Sequence, residues 1–382
     1  MHYTCKKAAL GSRMTGIIFF MVNNLHSLSS VYGSLCKNNL STQQNIQHES
    51  FSFLNMQLDI TQPHLLEDYL KSKNWLKQHE QVLILEKPGE GNMNYTLRVR
   101  THDRTLIVKQ SRPYVEKYPQ IAAPANRAVT EGRFYEKIQP FASINESMPQ
   151  LIGIDAEANI LVLEDLGTAS DYTFLYQPNQ QLSMTEAEAL AHYLAMLHRL
   201  TWQETIDASF ANREMRALNH EHIFNYPLME NNGFDLDTIS SGLQMISMGY
   251  KIDTKLKQKV RELGMVYLSD GRCLLHGDFY PGSWLKTTYG LKVIDPEFCF
   301  YGCPEFDLGV MTAHLMMAKQ PEETIRKVYQ AYGEIKNPQL VDQFTGVEIM
   351  RRLIGLAQLP LSLSLLDKEE LLETAYDLIT RS

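Results

Sequence analysis

The chain has 382 residues, 44% hydrophobic and 21% charged, with a formal net charge of −8 at neutral pH. That length allows two domains or one two-lobed enzyme, and the acidic balance excludes the Lys/Arg-rich surface that broad nucleic-acid or anionic-membrane binding demands. Five cysteines, Cys5, Cys36, Cys273, Cys299 and Cys303, form an odd set without a Cys-x-x-Cys pair, which fits free thiols in a reducing compartment rather than a disulfide framework.

Residues 1–55 read unlike the remainder. Lys6, Lys7 and Arg13 precede an apolar run from Gly16 to Val22, and an Asn/Ser/Gln-rich tract follows. The run is far short of the roughly 20 residues of a membrane span, and no small-x-small pattern marks a cleavage site. We expect translation to begin at Met56, with 1–55 a mis-assigned extension or a disordered tail.

From Pro63 to Gln78, Leu65, Leu66, Tyr69, Leu70, Trp75 and Leu76 recur at helical spacing. The period then changes: Val82–Leu85 is apolar, and Tyr95, Leu97 and Val99 alternate with polar residues, as strands do. Between them, Gly89-Glu90-Gly91-Asn92-Met93-Asn94 predicts a turn. Glycine lets such a backbone lie over phosphates, although a plain hairpin turn has the same sequence. A turn at His102–Arg104 leads into the strand Thr105–Lys109. A lysine ending an apolar strand after that hairpin is placed to grip phosphate or, more blandly, to reach water along its stem. The helix expected near Asn126–Gln139 offers Glu131 or Glu136 as a partner for Lys109, with Glu131 favoured; a solvated surface glutamate is the alternative for each. Leu151–Ile154 and Ile160–Leu163 read as strands, and Glu164-Asp165-Leu166-Gly167 ends the strand-rich half.

The rest reads as helical. Ser183-Met184-Thr185-Glu186 is a capping box opening a helix that ends near His198, which we read as a satisfied structural histidine. Further helices are expected over Lys255–Leu268, Phe306–Met317, Glu322–Tyr332 and Val341–Leu359. The last carries Arg351 and Arg352 amid Met350, Leu353 and Ile354. Buried charge without a partner is costly, so the pair either meets structural acids or faces a cleft.

The densest chemistry lies between Leu274 and Asp307. Asp278 follows His276-Gly277, and Asp295 and Glu297 sit two apart after the apolar run Leu291–Ile294. If that run continues as a strand, residues i and i+2 share a face. The two carboxylates then converge, and paired hard oxygen ligands suit Mg²⁺. Asp278, on a separate loop, is placed to take a proton from an attacking hydroxyl, which is the division of labour in kinase-type phosphoryl transfer. No GxxxxGK[ST] phosphate loop is present.

With Gly89–Asn94, Leu106–Gln110, Leu163–Leu166, His276-Gly277-Asp278 through Gly282-Ser283, Ile294–Gly302 and Glu348–Ala357, the chain resembles the aminoglycoside phosphotransferase/choline kinase superfamily. Within it, the S-methyl-5-thioribose kinase branch is the most similar. The resemblance, from about Leu58 onward, implies an α+β, protein-kinase-like two-lobed fold. A small β-rich lobe over 56–164 would hold ATP phosphates, and a helical lobe over 165–382 would carry the catalytic loop, metal site and substrate pocket. It implies Asp278 as catalytic base, Asp295, Glu297 and Ser283 at Mg²⁺, and Lys109 with Glu131 on the ATP side. Gly89, Gly91, Asn92 and Asn94 would cover the triphosphate, and Glu164 and Leu166 would meet the adenine edge. Arg351 and Arg352 would face the substrate, and Asp307 would brace the catalytic loop. It further implies a cytoplasmic enzyme, a small-molecule acceptor, methylthioribose at O1, and a homodimer as one possible assembly, with no nucleic-acid or membrane partner.

Two features depart from that branch. Phe279-Tyr280-Pro281-Gly282 stands where the branch tends to read Leu-His-Thr-Gly, and 118–127 lacks the branch's Trp. Both are expected near the acceptor, which leaves another sugar, choline, ethanolamine or an aminoglycoside as alternatives. A nucleotide-binding regulatory pseudokinase is a further alternative, opposed by the intact Lys109, Asp278, Asp295 and Glu297. A protein kinase would need HRD, DFG and APE signatures that are absent.

Overall fold

The computed structural model describes residues 56–89 and 93–381; the expectations for residues 1–55, Gly91 and Asn92 lie outside them. Helix α1 (Pro63–Ser72) is shorter than the expected Pro63–Gln78. Asn74 adopts a left-handed φ of 59°, and the N–H groups of Trp75 and Leu76 both return to Leu70 O, at 2.9 and 3.2 Å, which closes the helix end. Strands β1 (Ile84–Glu86), β2 (Tyr95–Arg100) and β3 (Thr105–Gln110) follow, then a small hairpin of β4 (Tyr114–Val115) and β5 (Tyr118–Ala122). Helices α2 (Arg127–Ile138) and α3 (Ala142–Asn145) precede β6 (Leu151–Asp155) and β7 (Ile160–Glu164).

The main sheet runs β1-β2-β3-β7-β6 and is antiparallel throughout. In β2, Tyr95, Leu97 and Val99 are buried and the residues between them are not, the alternation of a sheet with one covered face. In β7, Ile160–Leu163 are all buried, as in a strand covered on both faces. Helix α2 packs Ala128, Phe134 and Ile138 into the same core as Leu161 and Leu163.

Beyond the sheet the chain is mostly helical. After β8 (Ala169–Asp171) come a 3₁₀ turn (Tyr172–Tyr176) and α4 (Met184–Leu200), whose Ser183–Glu186 capping box forms as expected. Helices α5 (Arg213–His220), α6 (Leu243–Ile252) and α7 (Thr254–Leu268) lead to strands β9 (Cys273–Leu275), β10 (Trp284–Thr287), β11 (Gly290–Val293) and β12 (Phe300–Gly302). Helices α8 (Glu305–Met317), α9 (Glu322–Tyr332), α10 (Pro338–Ile354) and α11 (Leu365–Thr380) complete the mixed α+β fold, a small antiparallel sheet lobe followed by a helical region. Helix α10 begins at Pro338, with Asn337 accepting Leu340 N–H, and stops at Ile354 rather than Leu359. There Gln358 Nε2 turns back onto Leu353 O and Gly355 O. Helices α8 and α10 are buried on almost every side, and each fully buried Leu or Phe contributes about 1.5–3 kcal/mol. Among the described residues, no helix is long and apolar enough to cross a membrane.

The pairing of β9–β12 decides where the chemistry falls. β9 pairs with β12 and β10 with β11, both antiparallel. The loop after β9, which carries Asp278, and the loop after β11, which carries Asp295 and Glu297, are therefore brought side by side.

Candidate active site

The Asp278 loop is held from behind. Gly277 has φ of 85°, and a Cβ there would lie 2.3 Å from Phe298 O, so only glycine fits. Asp307, wholly buried in the first turn of α8, accepts His276 N–H at 2.7 Å and Gly277 N–H at 2.9 Å. Its carboxylate also lies 3.2 Å from His198 Nε2, while His198 Nδ1 meets Tyr332 Oη at 2.9 Å. His198 is thus a satisfied structural histidine, as expected. His276 Nε2 donates to Ile294 O at 3.0 Å, and Ile294 N–H donates to Ser283 O at 2.9 Å. Ile294, the residue ahead of Asp295, is therefore pinned by both ends of the Asp278 loop. Burial holds the His276 pKa below its usual value, which keeps the ring neutral. Ser283 Oγ accepts Tyr280 N–H at 3.1 Å and lies 2.8 Å from Tyr280 O and 3.1 Å from Asp278 O, so its proton serves the loop backbone.

The backbone that carries Asp295 and Glu297 is not the strand expected from the sequence. The strand ends at Val293, Asp295 takes a left-handed φ of 64°, and Cys299 N–H returns to Pro296 O in a turn. The two carboxylates leave this turn into different surroundings. Asp295 is 45% exposed in its side chain and pairs with Lys109 at the end of β3. Lys109 Nζ also donates to Glu131 Oε1 on α2 at 2.8 Å, whereas Glu136 is exposed. Burial opposes the Lys109 charge, but Asp295 and Glu131 outweigh it and hold its pKa above the ordinary lysine range. Glu297 is buried, 3.0 Å from Asn94 Nδ2 and 3.4 Å from Arg127 Nε, and burial pushes its carboxyl up to about 8.

Arg127 was not singled out from the sequence. It is fully buried and donates to Met93 O at 2.7 Å, Asn94 Oδ1 at 3.1 Å and Pro124 O at 2.7 Å. It thereby ties the described end of the Gly-rich turn to Glu297. Gly89 has open space around it. At the sheet's end, Glu164 N–H is taken by Gln150 O and its carboxylate accepts Gln150 N–H; Leu166, two residues on, is half-buried.

On the other side of Asp278 stand the two arginines, 3.3 Å from Arg352 Nη2 and 3.7 Å from Arg351 Nη1. They meet both fates that the sequence left open. They face Asp278 and also a structural acid, Glu348, which accepts Arg352 Nε at 2.6 Å and Arg351 Nη1 at 3.1 Å. Tyr280 lies over the Arg352 guanidinium at 5.1 Å. Phe279, by contrast, is fully buried and stacks on Tyr193 at 5.7 Å. That departure belongs to the core, and Tyr280 alone of the two reaches the arginines. Glu348 had a readable signal, since it precedes the arginines at helical spacing i+3 and i+4 inside an apolar helix.

A divalent cation fits this donor set. Asp295 is partly exposed, and burial pushes the Glu297 carboxyl up to about 8 although Arg127 and Lys109 act against the shift. Hard oxygens of this kind suit Mg²⁺. Among the described residues, no three His, Cys, Asp or Glu side chains form a ready metal cage.

The profile of the phosphotransferase enzyme family matches residues 84–344. The chain is 26% identical over 297 residues to the methylthioribose kinase of Bacillus cereus (strain AH187), covering 74% of this chain and 72% of that one. It is 26% identical over 324 residues to the methylthioribose kinase of Exiguobacterium sibiricum, covering 72% and 81%. Among solved structures, the choline kinase LicA from Streptococcus pneumoniae superposes with a TM-score of 0.46 at 15% identity, covering 83% of this chain and 99% of that one. The chain belongs to the phosphotransferase enzyme family. It is a small-molecule kinase, a phosphotransferase with an alcohol group as acceptor.

Proposed function

We propose that the chain transfers the γ-phosphoryl group of ATP to a sugar hydroxyl, with 5-methylthioribose, phosphorylated at O1, as the acceptor. The observation that carries this reading is the placement of Asp278 between the Arg351-Arg352 pair and the loop of Asp295 and Glu297. In this reading Asp278 Oδ orients the acceptor hydroxyl and receives its proton. Arg351 and Arg352 take the anionic oxygens near the transferring group, and Arg351 Nε, buried without a partner, is the donor still to be satisfied. Lys109 moves its ammonium from Asp295 toward the ATP phosphates while Glu131 keeps it in place. Asp295 and Glu297 would hold Mg²⁺, with Ser283 beside them; when bound, the ion neutralises phosphate charge. The turn from Gly89 through Gly91 and Asn92 to Asn94 covers the triphosphate. The adenine edge meets backbone around Glu164 and Leu166, where Glu164 N–H is already spent on Gln150. Positioning and charge neutralisation then supply most of the rate gain.

The two-lobed division at Glu164/Asp165 is part of the same proposal. The methylthioribose kinases at 26% identity support the acceptor, and a neutral sugar beside two arginines is a better match than a cationic alcohol. Tyr280 on the guanidinium of Arg352 favours a second reading, a related sugar of different shape. An ATP-consumption screen over methylthioribose, other sugars, amino alcohols and aminoglycosides decides between them. Turnover of choline or an aminoglycoside with none of the sugars would reject the proposed acceptor class.

A further inference from the structure

The two arginines end a buried hydrogen-bonded chain that runs away from Asp278. Glu348 on α10 accepts from both, and from the facing helix α8 His314 Nε2 lies 3.1 Å from Glu348 Oε1. His314 Nδ1 lies 2.6 Å from Tyr176 Oη, in the 3₁₀ turn before α4. His314 is fully buried, and Tyr176, Glu348 and Arg352 are nearly so. An ionised carboxylate only accepts, so the His314 proton that meets Glu348 sits on Nε2. With the ring neutral, Nδ1 is an acceptor and Tyr176 O–H donates to it. Burial is the main cause that pushes His314 down to about 4, and the nearby Arg352 charge adds to it. The other groups facing the ring are Glu348 from α10 and Asp278 and Tyr280 from the catalytic loop.

The distances show how the two acids divide the arginines. Glu348 has the short contacts, 2.6 and 3.1 Å, and Asp278 the long ones, 3.3 and 3.7 Å. Should Glu348 swing away, two desolvated guanidiniums would close on the remaining carboxylate. A bidentate pair there would occupy the oxygens that must receive a hydroxyl. Among the described residues, His314 is the one partner from outside its own helix that holds the Glu348 carboxylate.

We propose that His314, oriented by Tyr176, is a positioning residue: it fixes the Glu348 carboxylate so that Glu348, and not Asp278, anchors the Arg351-Arg352 pair. This rests on the reading of Asp278 as the base. The full-length chain and its His314→Phe, His314→Gln and Tyr176→Phe variants test it. Phenylalanine keeps a ring without the donor, whereas glutamine offers an amide N–H near the place of Nε2.

The expected result for His314→Phe is a fall in kcat of about tenfold to a hundredfold, the range for a lost hydrogen bond to a charged group. KM for ATP should stay within about twofold of the unaltered chain, since the nucleotide side is untouched. His314→Gln should recover most of the loss, and Tyr176→Phe should fall between. In ring ¹⁵N spectra of the unaltered chain, His314 should be the neutral Nε2–H form near neutral pH. The spectra need no acceptor, so they test the His314–Glu348 hydrogen bond on which the proposal stands even if every acceptor fails or His314→Phe does not fold. An imidazolium or an Nδ1–H ring overturns the proposal. So does His314→Phe turning over like the unaltered chain, or His314→Gln doing no better than His314→Phe.

Discussion

Arg127 places its Nε 3.4 Å from the Glu297 carboxylate while its Nη2 donates to Met93 O and Asn94 Oδ1. One buried guanidinium therefore joins the Gly-rich turn to an acid of the proposed metal site. It does not satisfy that acid, because burial still leaves the Glu297 carboxyl pushed up to about 8.

A pH signature follows from that shift. The folded chain keeps a proton on Glu297 that the unfolded chain releases near the ordinary 4.5. The folded state thus binds more protons between these values, so this group's contribution to stability declines as pH rises through the window, up to about 8. Mg²⁺ should offset the decline. Melting curves with and without MgCl₂ should show a larger rise in Tm at the alkaline end of the window than at the acid end. Glu297→Gln should remove most of that difference. Equal shifts at both ends would contradict the assignment.

Lys109 shares its ammonium between Glu131 and Asp295. Under the proposed function, Glu131→Gln removes the charged partner that would keep the lysine toward the nucleotide. The expected rise in KM for ATP is about tenfold to a hundredfold, from a charged hydrogen bond of about 1.5–3 kcal/mol. Glu136→Gln, on the exposed face of the same helix, should leave KM unchanged.

Asp307 is buried and accepts the N–H groups of His276 and Gly277. Asp307→Ala leaves both donors and His198 without an acceptor, at a cost of about 3–5 kcal/mol. Thermal or chemical denaturation measures this. Asp307→Asn keeps one acceptor oxygen and should recover part of the loss.

Much of this was legible in the residues, though not always for the right reason. The alternation Tyr95-Leu97-Val99 and the Ser183–Glu186 box state their own structures, because period and capping are local. Asp295 and Glu297 were read as strand neighbours, but their backbone is a left-handed Asp295 followed by a turn, and the two side chains go to different partners. Arg127 left no trace, since its partners, Met93, Asn94 and Glu297, are set by tertiary packing rather than spacing. The early stop of α1 at Ser72 depended on Asn74 accepting positive φ, which competes with the apolar period running on through Leu76. Phe279 looked like an acceptor-site change and proved to be core, because its neighbours in space, Tyr193 and Trp284, lie on other elements.

The most direct test is acceptor-dependent ADP formation from Mg·ATP and methylthioribose, by the unaltered chain and by Asp278→Asn. The unaltered chain should phosphorylate the sugar, and Asp278→Asn should lose about 10²–10⁴ in kcat, the worth of a general base, while still binding ATP. Near-normal turnover by Asp278→Asn would contradict the account.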